Sequence, residues 1–251
     1  MKGRLYVATI ASDAVRVAEE WGIGIEIDEF CTASNMEGDE FERNDAIVKR
    51  KMKNSRQRIL HGPFNELFPS AIDPEARALA YKRLEQAYAL TARYGINRLV
   101  LHSGYLPHVY FKNWFLERSV EFWKTFMEGK PKDFHVMIEN VLEEEPYTLA
   151  SLIEKIGDKR VRACLDIGHA HCSSSIEISE WIKTLAPWAS HVHIHNNFKE
   201  HDNHNPLGEG EIDMNAALQG LRDYGPQELT YTIENLECAR SLTWLKKHGW
   251  I

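Results

Sequence analysis

The chain has 251 residues, 43% hydrophobic and 27% charged, with a net charge of −7. That balance excludes a disordered, collagen-like or coiled-coil chain, and no apolar run approaches the ~20 residues of a membrane span. Excess acid argues against nucleic acid, whose non-specific affinity comes from Lys and Arg neutralising phosphates.

Short apolar runs alternate with polar loops and longer helix-spaced stretches along the whole chain. The predicted strands, in order, are Leu5–Ile10, Gly24–Phe30, Arg58–Gly62, Arg98–Ser103, Phe134–Asn140, Val161–Ile167, His191–Asn196 and Leu229–Glu234. Between them, predicted helices run over Ser12–Trp21, near Asp45–Gln57, from Asp73 to Gly95, and near Trp114–Met127, Pro146–Ile156, Ile178–Leu185, Met214–Tyr224 and Ala239–Lys247. Asp73-Pro74-Glu75 supplies a helix start and Gly95 a stop. Eight strands alternating with eight helices, at about 31 residues per unit, predict a parallel sheet closed as a single (β/α)8 barrel spanning 1–251. No glycine-rich phosphate loop follows any strand, which disfavours an open doubly wound sheet.

Four scattered cysteines (Cys31, Cys164, Cys172, Cys238) form no CxxC pair, and the N-terminus lacks a secretory pattern. Both point to a cytoplasmic protein with reduced thiols. The unusual count is histidine, 12 in 251 residues. Successive strand side chains alternate between faces. On that parity Val136 and Ile138 face helices while Met137 and Glu139 face the barrel interior. The same reading turns Gly24, Glu26 and Asp28 inward, with His61, His102, Asp166, His191, His193, His195 and Glu234 on the other strands. Strand C-terminal ends are where such barrels build their sites. Carboxylates converging there would repel one another and be costly to bury, a conflict that a bound cation resolves. Imidazole with carboxylate favours Zn, Mn, Fe or Co over Ca.

At these positions the chain resembles the xylose-isomerase-like barrel superfamily, which includes sugar-phosphate isomerases and epimerases and the metal-dependent apurinic/apyrimidinic endonucleases. The matching strings are LHGPF, LHSG, MIENV, CLDIGHAH, HVHIHNN, HDNHNPLGEGEID and TIENL, in family order. For the epimerase branch the resemblance implies one metal on Glu139, Asp166, His193 and Glu234, the two glutamates also serving as acid and base. For the endonuclease branch it implies three zinc ions that add His61, His102, His169, Asp202 and His204. All nine residues are present, so one to three divalent ions (Zn, Mn or Co) are expected.

The net charge, and an acidic stretch after the second strand (Glu37, Asp39, Glu40, Glu42) read as a loop, favour a small sugar or sugar phosphate over DNA. Glu26, Phe64, His195 and Lys199 are the expected substrate contacts. The favoured reaction is isomerisation or epimerisation by proton transfer between Glu139 and Glu234, with His169 assisting at an oxygen. Phosphoester hydrolysis is the alternative, and a non-catalytic sugar-binding barrel the third class. Asn140 and Asn235, each following a glutamate, read as loop-capping groups.

Overall fold

The computed structural model describes residues 1–251 and closes eight parallel strands into a ring, β1 to β8 in sequence order, with β8 returning to β1. The strands are β1 (Leu5–Ala8), β2 (Gly24–Ile27), β3 (Arg58–His61), β4 (Arg98–His102), β5 (His135–Glu139), β6 (Val161–Asp166), β7 (Ala189–Ile194) and β8 (Thr230–Ile233). Nine α-helices accompany them: α1 (Ala14–Trp21), α2 (Gly38–Lys51), α3 (Pro74–Tyr94), α4 (Lys112–Met127), α5 (Tyr147–Ile156), α6 (Ile167–Ser173), α7 (Ile178–Leu185), α8 (Met214–Tyr224) and α9 (Ala239–Lys247). None is long and apolar enough to cross a membrane.

Strand parity sorts the core as expected from the sequence. Outward residues such as Val7, Ile25, Leu99, Val136, Ile138 and Leu165 join the large core between strands and helices. Tyr6, Ile59, Val100, Met137 and Cys164 form a separate apolar plug inside the ring. The plug closes the lower barrel, so polar side chains one layer higher face a blind mouth.

Two expectations about helices change. Helix α2 begins at Gly38, so Asp39 and Glu40 form its first turn. Their carboxylates there complement the positive end of the helix dipole. The acidity of that stretch is therefore helix-start chemistry and carries less weight against a polyanionic substrate. The second change is α6, which starts directly after β6 with no connector. Asp166 ends the strand and caps the helix, its Oδ1 accepting the His169 N–H at 2.6 Å.

Candidate metal centre

Glu139, the last residue of β5, is 1% exposed and ringed by imidazoles. Its Oε2 lies 3.2 Å from His61 Nε2 and 3.6 Å from His102 Nε2. Its Oε1 lies 3.2 Å from His169 Nδ1 and 3.3 Å from His193 Nδ1. The same His193 Nδ1 is 3.3 Å from Glu234 Oε2 and 3.6 Å from Asp166 Oδ2. Strand register explains part of this gathering, since His102 pairs with Glu139 and Asp166 with His193.

The donors fall into overlapping groups whose ligating atoms all lie within 4.8 Å of one another. One is Glu139, Asp166, His193 and Glu234; another is His61, Glu139 and His193; a third is His169, His195, Asp202 and His204. In the third, Asp202 Oδ2 sits 3.1 Å from His169 Nε2 and 2.8 Å from His204 Nε2. His204 adopts a left-handed backbone, φ 49°. All nine residues implied by the resemblance thus meet at one mouth.

Three of the histidines are oriented by main-chain carbonyls. Nδ1 of His61 bonds Gly62 O at 3.0 Å, that of His169 bonds Asn140 O at 3.0 Å, and that of His204 bonds Glu234 O at 2.8 Å. Each such ring commits its Nδ1 proton and turns the Nε2 lone pair inward, as a metal-binding imidazole requires. The asparagines act on the backbone. Asn140 holds the Asp166 N–H and C=O, both at 2.9 Å, and Asn235 Nδ2 holds the carbonyls of His204 and Asn205 at 3.0 and 2.7 Å. Each Ile-Glu-Asn string therefore pins the main chain that carries another donor.

Burial opposes charge throughout this cluster, yet neighbouring imidazoles hold Glu139 and Asp166 well below the usual carboxylate range, through His193 and His169 respectively. His102 moves the other way, lowered by burial to about 3. Glu234 Oε2 and His195 Nδ1 are buried without a hydrogen-bond partner. Orphaned buried polar atoms amid hard and borderline donors fit a divalent cation.

Above the donors lies a cavity of about 460 Å³, lined among others by Asp28, Cys31, Phe64, Asp202 and Glu234, with no lysine or arginine. Phe64 stacks on His102 at 4.2 Å between ring centroids, and so walls the cavity. Three of the expected substrate contacts sit elsewhere. Glu26 lies below the cavity, 1% exposed and bonded to His191 and His193. His195 is fully buried, its Nε2 at 3.1 Å from both Asp166 oxygens, and it belongs with the third donor group. Lys199 is exposed beyond the end of β7 and does not line the cavity. The residue parity did not select is Asp28. It shares Glu26's face two residues further on, about 7 Å higher at the usual strand rise, which is the difference between core and mouth.

The family described as xylose isomerase-like TIM barrel matches residues 15–248. The chain belongs to that family. Within it, the chain is similar to the TTHB071 protein from Thermus thermophilus, solved after soaking with ZnCl2. Identity is 25% with a TM-score of 0.75, covering 98% of this chain and 97% of that one. A D-tagatose 3-epimerase-like protein superimposes with a TM-score of 0.76 at 19% identity, covering 98% and 96% of the two chains, a likeness of fold. The Probable endonuclease 4 of Acholeplasma laidlawii is 25% identical over 222 residues, 77% of this chain and 72% of that one. The chain spans 60% and 62% of the length of two uncharacterized Methanocaldococcus jannaschii proteins that it matches at 26% and 25% identity.

Proposed function

We propose that the chain is a divalent-metal-dependent isomerase or epimerase of a sugar or sugar phosphate. The observation that carries this reading is the convergence of Glu139 and Glu234. They approach from walls three strands apart, and each places a carboxylate oxygen 3.3 Å from the same His193 nitrogen. Two carboxylates reaching one point from different walls suit removal of a proton α to a carbonyl by one and its return by the other. A divalent ion held by Glu139, Asp166, His193 and Glu234 would polarise the substrate oxygens and stabilise the charge left by the departing proton. His169 faces the same space and would bind a substrate oxygen. Phe64 and Asp28 shape the cavity, whose volume suits a monosaccharide. The sugar-processing neighbours in this fold and the zinc-soaked relative accord with it.

The test is a panel of ketoses and their phosphates incubated in deuterated water with protein loaded with Mn, Co or Zn. Deuterium at C2 or C3 is expected. No exchange across the panel overturns the reading.

A second reading, metal-dependent phosphoester hydrolysis, is favoured by one observation. The two oxygens of Glu139 face separate sets of histidines, as a carboxylate bridging two ions would, and the third donor group lies beside them. The likeness to a probable endonuclease accords with this reading. The absence of lysine and arginine around the cavity argues for a small phosphoester over duplex DNA. Metal content separates the two: near one ion per chain supports isomerisation, near three supports hydrolysis. A sugar-binding barrel without turnover would keep ligand affinity in Glu234→Gln and show no reaction in either form.

A further inference from the structure

We propose that Glu26 is the positioning residue of the metal centre, holding His193 in the one tautomer and orientation that present its Nδ1 lone pair to Glu139, Asp166 and Glu234. The proposal rests on the metal reading above and not on any substrate.

Glu26 is on β2, faces the barrel interior and is buried one layer below the cavity. A carboxylate at that depth is costly unless every lone pair it offers is engaged. Its Oε1 accepts from His193 Nε2 at 3.0 Å. Its Oε2 receives the Thr232 hydroxyl and lies 2.9 Å from His191 Nε2. Thr232 stands beside His193 in the β7–β8 register, so one strand pair delivers both donors. His191 packs edge-on against the His193 ring, with centroids 5.3 Å apart and planes at 90°, which opposes rotation of the imidazole.

His193 differs from its neighbours in the partner it uses. His61, His169 and His204 spend a ring proton on neutral main-chain carbonyls. His193 alone among these four donates its outer nitrogen to a carboxylate, and it is the ring that Glu139, Asp166 and Glu234 share. A carboxylate behind a ligating imidazole fixes its tautomer and raises its basicity, and losing such a partner typically costs 10–100-fold in metal affinity.

The experiment titrates metal-free protein with Co2+ and follows ligand-field absorption, in wild type, Glu26→Gln, Glu26→Leu and His193→Ala. The step missing in His193→Ala marks the ion concerned. In that step Glu26→Leu is expected to bind about 10–100-fold more weakly. Glu26→Gln keeps an acceptor for Nε2–H and should fall between it and wild type. Long-range 1H–15N spectra of the metal-free proteins should show His193 protonated at Nε2 in wild type and in Glu26→Gln, and as a tautomer mixture in Glu26→Leu. A folded Glu26→Leu that binds Co2+ within twofold of wild type and keeps the single tautomer overturns the proposal. If circular dichroism shows Glu26→Leu unfolded, Glu26→Gln decides, and unchanged affinity overturns. A wild type lacking any step that His193→Ala removes overturns the metal reading itself, a result distinct from a Glu26 variant that keeps the step.

Discussion

Gly168 and His195 are in face-to-edge contact that only glycine permits: a Cβ at 168 would lie 1.9 Å from His195 Cε1 and 2.4 Å from its Nδ1. The imidazole occupies the space a side chain on α6 would fill, and this places its Nε2 on Asp166 and its Nδ1 3.7 Å from Asp202 Oδ1. Gly168→Ala should therefore drive the ring off Asp166 at a cost of about 1–3 kcal/mol, the usual range for overpacking. Urea unfolding of the metal-free protein measures it. Because the clash is with this one ring, His195→Ala should absorb most of the cost, so the double variant loses clearly less than the sum of the singles. Additive losses would show that the backbone, not His195, is what the new methyl meets.

Metal removal should lower stability in proportion to the charge left uncompensated at the mouth. Three carboxylates, Glu139, Asp166 and Glu234, meet there around a single imidazole nitrogen. A cation that binds only the folded chain stabilises it by mass action, about 2.7 kcal/mol at a hundred times its dissociation constant. Scanning calorimetry of chelator-treated protein should show a reduced melting temperature that Zn2+ restores. The His193→Ala variant should show a smaller recovery. An unchanged melting temperature on adding Zn2+, Mn2+ and Co2+ would count against a metal centre.

The barrel was legible because its signals are local and repeated. Val136 and Ile138 against Met137 and Glu139 is a period-two pattern that alone fixes which residues face the plug and which end faces the mouth. Depth along a strand was less legible. Glu26 and Asp28 share a face, as do His191, His193 and His195, and only the strand ends decide which layer each occupies. Helix α6 was missed because its seven residues follow β6 without a break. Its one signal was Asp166 placed three residues before His169, a helix-capping spacing hidden inside what reads as the end of a strand. Helix α2 was begun too late because its acidic first turn resembles a polar loop. The run 196–213, which carries Asp202 and His204, has no periodicity to read. Its path depends on tertiary bonds such as Asn196 to the Leu207 and Ile212 carbonyls.

Glu234 ends the inward face of β8 and is the glutamate with an orphaned oxygen. Glu234→Gln keeps its shape but removes a proton acceptor and one negative ligand. At saturating metal the turnover number is expected to fall by about 10²–10⁴, the range for losing a positioned general acid or base. A weaker metal affinity should accompany it, separable by titrating the variant to saturation before the rate is measured. Full recovery of rate with excess metal would reduce Glu234 to a ligand and remove it from proton transfer.

Asp28 gives the clearest pH signature of the metal-free protein. Its Oδ2 accepts the Ile10 N–H at 3.0 Å, while Oδ1 is buried without a partner at the cavity wall. Burial, with the negative charge of Glu26 and Glu234 behind it, raises this carboxyl from 3.8 to about 8. The folded state then holds a proton that the unfolded chain has released throughout the interval between those two values. Stability must fall as pH rises across that interval, because the native state binds more protons than the unfolded one. The Asp28 contribution is fully favourable below about pH 4 and is lost by about pH 8. Asp28→Asn fixes the group as neutral and removes the dependence. Denaturant unfolding at pH 5 and pH 8 should show the variant gaining on wild type at the higher pH by at least about 1.4 kcal/mol, the worth of one pKa unit. Parallel pH profiles for the two proteins would show that Asp28 is ionised in the native state, and that Glu26 and Glu234 do not act on it through the barrel mouth.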